Sequence, residues 1–129
     1  MTSRQHHEEV MEEVCEQLKP ILEESEQAIY VYLDDDHKIC NKKFASLLGY
    51  SSAMEWSEIQ ESLLDTCVED DGSRETLVSA YQNAVESFTG SCIDVTWKKK
   101  NGNNVKTKLI LVPYIYNNHL FALHFVSKD

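Results

Sequence analysis

The chain has 129 residues, which on length alone is one domain large enough to bury a sizeable core. Hydrophobic residues make up 42% and charged residues 26%, an ordinary globular balance that excludes a wholly disordered chain. A net charge of −10 argues against a nucleic-acid partner and against an anionic membrane surface, since both need clustered Lys and Arg.

Residues 4–26 read as a helix. Met11, Val14, Leu18 and Ile21 step by three, four and three, the seam of a short heptad stretch, and glutamates cover most of the rest. Pro20 removes a backbone donor and is expected to kink or divide this helix. Too short to be a stable isolated coiled coil, it must pack on something. Residues 28–33 are β-branched and aromatic and form a strand. Asp34, Asp35 and Asp36 make the turn, and His37 to Cys40 a short second strand.

Asn41 reads as an N-cap, Phe44, Leu47 and Leu48 follow at helical spacing, and Gly49 ends that helix. Ser52 and Glu55 form a capping box for a short helix carrying Trp56 and Ile59, and Leu63 and Leu64 belong to a further turn of helix. Ser73 is expected to cap the longest core helix, whose apolar stripe is Leu77, Tyr81, Ala84 and Phe88 with Val78 and Val85, and Gly90 to stop it. Three strands follow, over 91–99, 105–116 and 119–127, joined by turns at Asn101–Asn104 and Asn117-Asn118.

The order predicts an α+β domain: a five-stranded antiparallel sheet with helices on one face, and a separate N-terminal amphipathic helix. The division is 1–26 for the helix, serving dimerisation or sheet covering, and 27–129 for the domain. Leu109, Ile110, Leu111 and Val112 are apolar on both faces of the fourth strand, so the second sheet face needs a cover. Met11, Val14, Leu18, Ile21, Ile110 and Val112 are the expected interface of a homodimer.

Asn41, Phe44, Leu47 and Gly49-Tyr50-Ser51 resemble the signature of PAS domains, an Asn ahead of a Phe and then Leu-x-Gly-Tyr. Glu69 to Gly72 resembles the family's acidic turn before its long helix, and Lys100-Asn101-Gly102 the charged hairpin between its third and fourth strands. The resemblance runs from about Ser25 onward. The short second strand and the Gly-free turn before it depart from the family's pattern.

The resemblance implies a sensory or interaction module that holds haem, flavin, another small molecule, or nothing. Residues 74–88 contain no His, so the family's helix-borne haem ligand is missing, and a surface or edge position is expected for His119 and His124. The flavin motif Asn-Cys-Arg-Phe-Leu is absent as well, so no cofactor is expected. The resemblance places a ligand cleft under the helices. Tyr81, Val85, Ile93, Val95, Leu109, Leu111, Phe121 and Leu123, with Phe125, are assigned to it, giving a small apolar site for an uncharged hydrophobic ligand or a filled core.

Cys15, Cys40, Cys67 and Cys92 form no Cys-x-x-Cys pair and read as reduced, mostly buried thiols of a cytoplasmic protein. No secretory signal and no apolar run of about 20 residues occurs. His6-His7-Glu8 reads as a solvated tail, and the Cys67–Asp71 stretch lacks the acids of a calcium loop. Phosphate-binding and nucleophile-elbow motifs are missing. No output domain follows the last strand, so action through a partner in trans or through a homodimer is expected. The alternative is a small cone-fold enzyme of the ketosteroid isomerase type. It needs an acid or Tyr aimed into the pocket, and Asp94, the acid on the last three strands, is expected to point away.

Overall fold

A computed structural model describes residues 3–34, 36–59 and 61–128, with side chains from residue 8 onward. The elements are α1 (Ser3–Glu24), β1 (Ala28–Asp34), β2 (His37–Cys40), α2 (Lys42–Leu47), α3 (Ala53–Ser57), α4 (Leu63–Cys67), α5 (Asp71–Ser87), β3 (Ser91–Lys98), β4 (Asn104–Tyr116) and β5 (His119–Lys128). All five strands join one antiparallel sheet in the order β2-β1-β5-β4-β3. The last strand in sequence therefore lies in the middle.

The sheet separates two cores. On one face Tyr30, Phe44, Trp56, Trp97, Leu109 and Leu111 pack with α2–α5. On the other, Val10, Met11, Val14 and Leu18 of α1 pack on Val31, Phe121 and Leu123. Strand alternation delivers both sets, because neighbouring residues point to opposite faces. The amphipathic helix thus covers the chain's own second sheet face. Pro20 does not divide α1, which continues to Glu24. Pro20 and Glu16, four residues before it, are both exposed, so water can take up the carbonyl that Pro20 leaves without a partner.

Asn41 ties the first hairpin to the helices. Its Oδ1 accepts the backbone N–H groups of Phe44 and Ile29, both at 3.0 Å, and its Nδ2 donates to the Gln27 carbonyl at 2.8 Å. One buried side chain thus caps α2 and fixes the start of β1. Asn41→Ala would strand two amide groups and a carbonyl, so a loss of about 3 kcal/mol is expected, a midpoint lower by about 10 °C. Asn41→Asp keeps the acceptor and should lose about half as much. Thermal unfolding of the two variants checks this, and equal losses would contradict it.

Two helix ends differ from expectation. Asp70, not Ser73, caps α5, accepting from the Ser73 N–H at 2.8 Å. Ser73 lies inside the helix, where its Oγ accepts from the Thr96 N–H at 2.8 Å and ties α5 to β3. Phe88, at φ 52°, ends the helix ahead of Gly90. Elsewhere Gly49 is left-handed at φ 85° after α2, and Asn117 and Asn118 both have positive φ in the β4–β5 turn. Asp34 Oδ1 accepts the Asp36 N–H and pairs with His37 Nδ1 at 2.7 Å; Asp35 of that turn lies outside the described residues.

Candidate functional site

β1 and β5 are paired so that Tyr30 sits opposite His124 and Tyr32 opposite Ala122, all on the face that α2–α5 cover. The Tyr30 and His124 rings stack at 3.9 Å with 5° between planes. Phe44, Trp56 and Trp97 meet the Tyr30 ring at 4.7–5.6 Å. This aromatic block fills most of the space beneath the helices.

Beside it remains a cavity of about 90 Å3, lined by Tyr30, Tyr32, Leu63, Leu64, Leu77, Tyr81 and His124. Tyr30, Leu63, Leu77 and His124 are buried; Tyr32, Leu64 and Tyr81 are half-buried and form its rim. Tyr81 meets the Tyr32 ring edge-on at 5.7 Å.

Tyr30 Oη and His124 Nδ1 are buried without a hydrogen-bond partner. Burial drives the His124 pKa down to about 3, against a smaller opposing effect of the Tyr30 and Ala122 backbone, so the ring is neutral at pH 7. Burial also drives the Tyr30 hydroxyl well above its ordinary value. Both groups are uncharged and enclosed within the stacked core.

The expected cleft residues separate. Tyr81 lines this cavity. Val95, Leu109 and Leu111 are buried in the core on the same face, and Ile93 packs against it half-buried. Phe121 and Leu123, with Phe125, lie on the opposite face against α1. The reason is register: His124 pairs with Leu111 and Val126 with Leu109, so β5 turns its even-numbered residues to the helices. Val85 is 54% exposed and leaves the cleft too, because α5 buries Ser73, Leu77, Ala80 and Ala84, an arc that excludes it. Phe88, expected in the same stripe, is likewise exposed.

His124, expected at the surface, is a core residue, whereas His119 is half-buried at the β4–β5 turn. Tyr30, Tyr32, Leu63, Leu64, Leu77 and His124 were not assigned to the cleft from sequence. The alternation Ala28, Tyr30, Tyr32 could have signalled the inner face of β1.

Of the residues expected at a dimer interface, Met11, Val14 and Leu18 are buried on the chain's own sheet. Ile21, Ile110 and Val112 are exposed at 47%, 48% and 39%. Gln17 Oε1 accepts from Tyr114 Oη at 2.6 Å, which ties α1 to β4. Ile110 and Val112 stand two residues apart on the outer face of β4, the sheet face on which α1 lies.

Asp94 faces solvent and pairs with Lys108 at 3.2 Å, far from the cavity. Cys40 and Cys67 are buried, Cys15 half-buried and Cys92 exposed, all four as free thiols. Burial raises the Cys67 pKa, with the neighbouring Trp56 and Tyr50 side chains acting against it. The side chains of His6 and His7 lie outside the described residues. A larger groove, about 890 Å3, opens between α1 and the β2–α2 edge, with Glu16, Lys19, Glu23, Lys42 and Lys43 in its wall. No helix among the described residues is long and apolar enough to cross a membrane.

No protein-family model and no curated protein matches the sequence. Solved structures do match. The PAS domain of an HTR-like protein from Haloarcula marismortui is 19% identical, with a TM-score of 0.63 over 97% of this chain and 99% of that one. A PAS domain from Colwellia psychrerythraea is 21% identical, with a TM-score of 0.67 over 90% and 97%. The PAS domain of nitrogen regulation protein NR(II) from Vibrio parahaemolyticus is 18% identical, with a TM-score of 0.63 over 85% and 95%. At these identities the likeness is one of fold.

Proposed function

We propose that this chain, which has the PAS fold, is a non-catalytic signalling module that pairs with a second copy through the flank of α1. The observation that carries this is the exposure of Ile21 on α1 and of Ile110 and Val112 on the sheet face where α1 lies. Burying the exposed halves of three aliphatic side chains on each copy is worth roughly 5 kcal/mol in all. Association itself costs at least about as much. The pair is therefore weak and forms at high concentration. Action in trans on a protein partner, in a cytoplasmic setting, accompanies this reading; the free thiols support the setting.

Sedimentation at several hundred micromolar tests the pairing. The native chain should dimerise, and Ile110→Lys with Val112→Glu should leave a folded monomer. A native chain that stays monomeric at that concentration would sink the pairing.

Sensing of a small molecule is the second part of the reading, and the cavity beside Tyr30 supports it. At about 90 Å3 it lies well below the roughly 300 Å3 at which drug-sized ligand sites begin, so a small guest suits it better than haem or flavin. A cone-fold isomerase is disfavoured by the position of Asp94 at the surface.

A further inference from the structure

We infer that the outer edge of β3 receives an extended segment of a protein partner as an added antiparallel strand, one that carries a Lys or Arg two residues before an apolar residue. This rests on the reading that the chain acts on a protein partner, and it does not need the pairing of two copies. β3 ends the sheet, so one of its sides has no neighbouring strand. Thr96 marks which residues face that side: its N–H donates to Ser73 Oγ and its C=O accepts from the Glu69 N–H. Alternation turns the N–H and C=O of Cys92 and Asp94 the same way. Around Thr96 the segment after α4 closes the edge, through a bridge of Val68 to Trp97. Cys92 and Asp94 are exposed, and their main-chain groups have no partner on this side among the described residues.

A groove runs beside the open stretch. It encloses about 390 Å3 between α5 and β3, with Glu75, Thr76, Ser79 and Asn83 on one wall and Ser91 and Ile93 on the other. In an added strand, the residue opposite Ile93 shares its face and points into this groove. Ile93 is half-buried, so an apolar side chain there completes its cover. α5 runs antiparallel to β3, since Ser73 bonds to Thr96 while Asn83 lies by Ser91. Glu75, the one charged residue in the groove wall, therefore stands toward Val95. The added residue opposite Val95 comes two before the apolar one and points to the same side, where a cation meets Glu75.

Charge also separates this occupant from a second copy of the chain. A second β3, set antiparallel about Ile93, brings Ser91 opposite Val95 and no cation to Glu75. The net charge of −10 draws a basic segment toward the chain as a whole. Cys92 and Asp94 each exchange two main-chain bonds with such a segment, which with one apolar contact gives a short peptide millimolar affinity.

The test is an NMR titration of the isotope-labelled full chain with the capped peptide Ser-Thr-Arg-Thr-Val-Thr-Ser. It should shift the Cys92, Ile93 and Asp94 amides with those of Thr76 and Ser79, and slow hydrogen exchange at Cys92 and Asp94. Methylating the amide nitrogens of the two Thr that flank Val should abolish binding, and methylating that of Val, which points away from β3, should not. Glu75→Lys should weaken the peptide roughly threefold and strengthen, by a similar factor, one with Glu in place of Arg. Binding indifferent to the methylation pattern would overturn strand addition, and equal binding of the Arg and Glu peptides to the native chain the choice of a basic segment. Concentration-dependent shifts of the same amides without peptide would assign the edge to a second copy and overturn the partner. Absence of any shift would overturn the inference, while the pairing of copies stands or falls separately by sedimentation.

Discussion

Lowering the pH from 7 to 5 is expected to reduce the stability of the native chain by about 2 kcal/mol, and His124→Phe to abolish most of that loss. The His124 pKa is depressed in the folded state to about 3, chiefly by burial, against an ordinary value of 6.5. Below pH 6.5 the unfolded chain takes up a proton that the folded chain refuses. Stability therefore falls as the pH drops through 6.5 and goes on falling until about 3, for a total of roughly 5 kcal/mol. Carboxylates act lower. Lys100 holds Glu55, and the Ser73 hydroxyl holds Asp70, below their ordinary values, so their contributions disappear only as the pH falls below the ordinary carboxylate range. A phenyl ring at 124 can keep the stack on Tyr30, and the adjoining cavity gives it room. Denaturant unfolding at intervals from pH 8 to 5 reads the effect, and a native midpoint that stays flat between pH 7 and 5 would refute it.

Val14→Asp should release α1 from the sheet. Val14 is fully buried between Val10, Met11 and Leu18 and the facing residues Val31, Phe121 and Leu123. Docking four apolar side chains contributes roughly 6–12 kcal/mol at most, before the entropy of ordering the helix is subtracted. An unpaired carboxylate at the centre of that contact costs about 4 kcal/mol or more, enough to undo it. The released helix is rich in glutamate and interrupted by Pro20, so it should melt. Hydrogen exchange should show residues 8–24 unprotected while β1, β4 and β5 stay protected, because the aromatic core lies beyond the sheet. The bared Val31, Phe121 and Leu123 should make the variant prone to associate. Protection of α1 equal to that of the native chain would refute the docking account.

The element order and antiparallel sheet were legible in the sequence because the signals are local. The Asn41 cap, the left-handed Gly49 and the two asparagines at 117 and 118 each have a short-range cause. What failed was the choice between faces. Alternation says that Phe121, Leu123 and Phe125 share a side of β5, but not which side. They are the bulkier set, and they were expected on the helix-covered side. Tyr30, Phe44, Trp56 and Trp97 already fill that space, leaving room there only for Ala122, the His124 ring and Val126. The exposure of Val85 and Phe88 has a similar origin: α5 offers the sheet its small residues, Ser73, Ala80 and Ala84, with Leu77, and so packs close. Which of two plausible stripes is buried depends on the opposing surface, and no local window of sequence contains that.

The position of β5 also orders events in time. Gln27, at the foot of β1, bonds to Ser127, 100 residues later, and the pairing of Ala28 with Val126 continues that zipper. During synthesis β1 and β4 each emerge with one edge unpaired, and the strand that joins them comes last of the five. Until it arrives, Tyr30 has no His124 to stack on and α1 no Phe121 to lie against. The hairpins β1–β2 and β3–β4 can form early, but both cores close only together, at the final strand. Such long-range closure is slow, and the waiting intermediate presents two bare strand edges. A nascent chain halted before Leu120 should therefore be the aggregation-prone and chaperone-dependent species, and a chain ten residues longer should not.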